Sequence, residues 1–71
     1  MTELFPVLSE VNNLRLVRTG QEIEVHLNGA RYCHGKIEQM DADLGVIWIR
    51  DTFGERKLLN ASDFTFWRYV L

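Results

Sequence analysis

The 71-residue chain has one cysteine, one proline and no apolar run near the roughly 20 residues of a membrane-spanning helix. Each scarcity excludes something. With Cys33 alone, no disulfide can close within the chain, and a lone thiol fits a reducing compartment or an incidental strand position. Cys33, His26 and His34 lack zinc-ligand spacing, so no metal or other cofactor is expected. No basic region followed by an apolar stretch opens the sequence, so no secretory leader is expected and the cytoplasm is the expected location. Positive charge is scarce too. Eight Lys and Arg stand against ten Asp and Glu, a net charge of −2. The broad basic face of a general nucleic-acid binder is therefore missing, although a few local cations can still serve one site.

What is present is strong β patterning. The length fits one domain, residues 1–71, with a small core. Disulfides and metals being excluded, self-association is the expected reinforcement. Leu4, Val7, Leu8, Val11 and Leu14 recur at helical spacing, and Pro6 suits a first turn, so a short helix is predicted over residues 4–16. From residue 20 the period changes. Ile23, Val25 and Leu27 alternate with Glu22, Glu24 and His26, which predicts a half-buried strand. Asn28-Gly29 signals a tight hairpin, since both residues tolerate positive φ. A second strand follows over 31–40, interrupted by Gly35 as at a bend. Residues 44–50 form the richest β segment, 55–59 a shorter strand, and 64–71 a last, aromatic one. Asp41–Asp43, Asp51–Gly54 and Asn60–Asp63 carry turn residues. The expected fold is mainly β, a short N-terminal helix and then a five-stranded, strongly bent antiparallel small barrel over residues 20–71, with Gly35 and Gly45 supplying curvature.

Ile23, Val25, Leu27, Gly29, Gly35, Ile37, Asp41, Leu44 and Val46 together resemble the first motif of the Sm-like family, and the order of a helix and five bent strands resembles that family over nearly the whole chain. The resemblance implies a non-enzymatic, SH3-like barrel that assembles into a homo-oligomeric ring and binds RNA. It also implies a ligand loop at Asp41, Asp43, Leu44, Gly45, Asn60 and Ser62, with Asp41 hydrogen-bonding backbone groups to shape it. Several departures alter the pocket. The interval from Gly29 to Gly35 is one residue longer than usual. Gly45 stands where the family often has a base-reading asparagine. Asp43 stands where a stacking aromatic or histidine is common, and Leu59–Ser62 brings no cation. Single-stranded RNA is held by stacking and positive charge. Asp43 offers neither, so the usual uridine pocket is expected to be altered. A barrel that keeps assembly and loses RNA, serving as a protein-interaction scaffold, is the alternative.

His26 and His34 have no carboxylate or nucleophile at a recognisable catalytic spacing, and polar-face strand residues are the commoner reading. Asp41 and Asp43 read more simply as turn residues than as an acid–base pair. The last strand carries the sharper signal. Phe64 and Phe66 share one face with Val70, while Trp67 and Tyr69 share the other, so the strand is apolar on both sides. An edge strand facing water normally carries charge or proline. The expected subunit interface is therefore Phe64, Phe66, Trp67 and Tyr69 of one copy against the strand holding Leu58 and Leu59 of the next, in the head-to-tail manner that the resemblance implies.

Overall fold

The computed structural model describes residues 7–70. Six strands are present there: β1 (Val7–Glu10), β2 (Glu22–Leu27), β3 (Ala30–Asp41), β4 (Val46–Asp51), β5 (Arg56–Asn60) and β6 (Thr65–Val70). All neighbouring pairs are antiparallel, and the sheet order is β1-β6-β2-β3-β4-β5. The strands β2 to β5 form a meander, and β6 returns to pair with β2. The sheet stays open: β1 and β5 are its two edges.

The alternation in β2 works as the period-2 pattern requires. Ile23 and Val25 are fully buried, and Glu22, Glu24 and His26 face away from the core. Asn28 (φ 51°) and Gly29 (φ 81°) both adopt the left-handed conformation that a two-residue hairpin needs. The long strand β3 pairs with β2 through its first half and with β4 through its second. Register shifts at Val25/His26 and at Ile37/Gln39 mark bulges, which bend and twist the strands. Gly35 lies between them. A Cβ there would fall 2.2 Å from the backbone oxygen of Arg50, so the approach of β4 to β3 at this position excludes any side chain. Gly45 is not a strand bend as expected. It sits in the β3–β4 turn at φ 68°.

The predicted N-terminal helix is absent among the described residues. Residues 7–10 form β1, and only a 3₁₀ turn, Leu14–Leu16, follows; residues 4–6 of the predicted span lie outside the described residues. The physical reason is competition. An isolated helix of this length is marginal in water, whereas β6 offers an open row of backbone donors and acceptors. Val7, Leu8, Ser9 and Glu10 pair with Val70, Tyr69, Arg68 and Trp67. Leu14 is still delivered to the core, by the 3₁₀ turn that Asn13 caps through its side-chain oxygen on the Arg15 amide (2.9 Å).

The core comprises Leu14, Val17, Ile23, Val25, Ile37, Ile47, Ile49, Leu59 and Phe66. Each fully buried aliphatic side chain contributes about 1.5–3 kcal/mol by leaving water. Two corrections to the expected interface follow. Leu59 and Phe66 belong to this core, each buried within the chain itself. The last strand is not an edge either, because β1 covers its outer side and β2 its inner one. Its two apolar faces are explained within the chain: Phe66 packs inward, while Trp67 and Tyr69 lie half-buried among side chains of the outer face.

Candidate functional site

The expected ligand loop is brought together in space. The β3–β4 and β5–β6 turns are neighbours, with the Ala61 amide donating to the Gly45 carbonyl (2.7 Å) and Val46 paired with Asn60. The polar groups there serve the turns themselves. Asp41 Oδ1 accepts from the amides of Asp43 (3.0 Å) and Leu44 (3.1 Å). Asn60 Oδ1 accepts from the Ser62 amide (3.0 Å) and the Ser62 hydroxyl (2.9 Å). Asp43 is paired with Arg15, both largely exposed. This end of the molecule thus carries Asp41, Asp43 and Asp63, with Asp43 alone paired to Arg15 and Leu44 exposed at its tip. Among these turn residues there is neither a stacking ring nor spare positive charge for a phosphate.

A second surface escaped the sequence reading. At the opposite turn, Asp51 is buried, and its Oδ1 accepts from the amides of Phe53 (2.9 Å) and Glu55 (2.8 Å). That turn projects Phe53 almost wholly into solvent, 94 % exposed. Beside it lies a cleft of about 480 Å³ whose walls include Arg31, Tyr32, Phe53 and Lys57. Tyr32 packs on Phe64 with ring centroids 5.0 Å apart, and Lys57 Nζ lies 5.5 Å from the Tyr32 ring. Lys57 is also held near Glu55 (3.5 Å) and Asp51 (3.8 Å), so acids offset the cations of this cleft. Burial pushes the Cys33 thiol up, away from the reactive thiolate.

The outer face of β2, β3 and β6 holds a half-buried polar network. Glu24 accepts from the Tyr69 hydroxyl (2.9 Å) and lies 2.8 Å from His26 Nε2. The His26 ring packs on Trp67 and the His34 ring edge-on against Tyr69, each pair with centroids 5.6 Å apart. The hydrogen bond from His26, aided by Tyr69, holds the Glu24 carboxyl below its ordinary range although burial works the other way. Burial, and then Glu24 itself, push the Tyr69 hydroxyl up. Glu24, His26 and Tyr69 satisfy one another, whereas His34 Nε2 is buried without a hydrogen-bond partner, 3.7 Å from Glu22. Among the described residues no group of three or more His, Cys, Asp or Glu side chains is arranged to hold a metal ion. Nor is any helix there long and apolar enough to cross a membrane.

On β5, Leu58 is 51 % exposed. Arg56 lies 4.1 Å over the Trp48 ring, and its Nε is 3.1 Å from Glu38, which Arg50 also holds at 3.0 and 3.3 Å. The Arg50 hydrogen bond, reinforced by Arg56, keeps the Glu38 carboxyl below its ordinary range. On β1, Val7 and Glu10 are exposed, and Leu8 is half-buried.

No family model, curated protein or solved structure matches this chain.

Proposed function

We propose that the chain is a non-enzymatic, Sm-like assembly module, whose sheet edges join copies of itself and whose usual uridine pocket is altered. The observation that carries this reading is the open sheet. Its two end strands, β1 and β5, leave backbone donors and acceptors unpaired, and apolar side chains lie beside them. An edge left in this state invites strand addition. The return of β6 to β2 after a four-strand meander supports the small-barrel part of the reading. The acidic, self-satisfied turns around Asp41 and Asn60 favour the scaffold over RNA binding at that end.

RNA remains the second reading, favoured by one feature: the Tyr32, Phe53, Arg31 and Lys57 cleft combines rings with cations, the chemistry that holds unpaired bases and phosphates. Sedimentation at micromolar concentration tests the first reading, with an expected species several times the 8.3 kDa chain; a clean monomer overturns it. Fluorescence anisotropy with labelled oligo-U and oligo-A at low and moderate salt separates the two. The scaffold reading expects no binding at either salt, and salt-sensitive binding lost in Phe53→Ala would move the function to the cleft.

A further inference from the structure

The two open edges are complementary to each other in backbone phase, side-chain face and charge. The Val11 amide donates to the Phe66 carbonyl (2.7 Å). By strand alternation the backbone groups of Val7 and Ser9 also point to β6, so those of Leu8 and Glu10 point out of the sheet. At the other edge, the Asp51 amide donates to the Glu55 carbonyl (2.9 Å) and the Ala61 amide to the Gly45 carbonyl (2.7 Å). Residues 57 and 59 therefore face β4, and Arg56, Leu58 and Asn60 turn their backbone groups outward.

We infer that β1 of one copy adds antiparallel to β5 of the next, in the register that sets Leu8 opposite Leu58 and Glu10 opposite Arg56. In that register, outward-pointing backbone meets outward-pointing backbone. Side chains agree as well. Leu8 and Glu10 stand on the outer face, in the rows of Tyr69 and Trp67, while Leu58 and Arg56 stand on the outer face in the rows of Trp48 and Arg50. The joint makes one apolar row of Trp48, Leu58, Leu8 and Tyr69. On the other face it extends the paired Ile47 and Leu59 toward the exposed Val7 and Val70.

Charge selects the register. Arg50 and Arg56 share the single carboxylate of Glu38, leaving a net positive charge at that edge. Glu10 has no side-chain partner among the described residues and brings the missing carboxylate. Sliding the strands two residues one way sets Glu10 against Leu58. Sliding them the other way sets Leu8 against Arg56 and carries Glu10 past the end of β5. The contact uses different patches on its two sides, so it propagates head to tail and closes into a ring or runs on as a filament.

This pairing rests on the assembly reading above, and the experiment separates the two. Leu8→Cys and Leu58→Cys are made singly in a Cys33→Ser background. A hydrogen-bonded antiparallel pair places Cα atoms about 5.5 Å apart, within disulfide range. Mixed under mild oxidation, the two variants are expected to give a covalent dimer on a non-reducing gel, far faster than either variant alone. In parallel, Glu10→Lys is expected to weaken wild-type association about tenfold, through loss of one cross-strand pair and gain of a like-charge contact. Association of the wild type without the mixed cross-link, or without sensitivity to Glu10→Lys, overturns the pairing and leaves the assembly reading standing. A wild type that is monomeric at high concentration overturns both.

Discussion

Gly35 shows how much a single position can carry. A glycine inside a strand pattern reads as a bend, and the sequence made that much visible. Its actual constraint is the Arg50 carbonyl oxygen 2.2 Å from where a Cβ would sit, a contact with another strand that no local pattern encodes. Gly35→Ala is expected to cost about 1–3 kcal/mol, the range for forcing atoms into filled space, measured by urea denaturation. Glu24 teaches the same lesson on the polar face. Its alternation with Ile23 and Val25 was legible, and His26 stands two residues along the same strand face, but Tyr69 became a partner only when β6 paired with β2. Because the folded state holds its carboxyl below the ordinary range, Glu24 contributes stability that is full above the unfolded value, about 4.3. That stability is lost as pH falls through the lower folded value. Glu24→Gln is expected to be less stable than wild type at neutral pH and to show a flatter acid limb in a stability-against-pH series.

At the scale of the element, β2 to β6 were readable because each carries its own evidence: alternation, β-branched residues, and turns marked by Asn28-Gly29, Asp51–Gly54 and Asn60–Asp63. The first element was not. Val7, Leu8, Val11 and Leu14 fit a helical stripe, and nothing nearby reveals that their partner is a strand at the other end of the chain. Of these residues Leu14 alone is buried in the core; Val11 packs partly against it, Leu8 is half-buried and Val7 is exposed. Leu14→Ala is expected to cost about 2–4 kcal/mol, as for other buried leucines, because the 3₁₀ turn seats it in the core. An unaffected denaturation midpoint would show instead that this segment is a loose appendage. The same long-range pairing changed the reading of the last strand. Residues 64–71 looked like an exposed ribbon needing a neighbour, and the neighbour is β1 of the same chain.

For the whole molecule, the decisive property is that curling stops short of closure. Two bulges and Gly35 bend the sheet, yet β1 and β5 remain its ends. Of the anticipated site, the family resemblance implied a loop of Asp41 and Asn60, and their two turns are neighbours because β4 pairs with β5. The sequence did not reveal the Tyr32–Phe53 cleft, which forms only where the bulged start of β3 meets the β4–β5 turn. Assembly, if it proceeds from edge to edge, adds order without repacking any core residue.

The insertion of β6 between β1 and β2 also sets a timetable for the nascent chain. Until residues 65–70 are in place, β1 has no strand to lie against, and the meander from β2 to β5 is open along both of its sides. Completion waits for the last strand to slide between two that were synthesised first. Before β6 docks, β2 is an open edge as well as β5, and its arrival seals β2 while β1 and β5 remain the ends of the sheet.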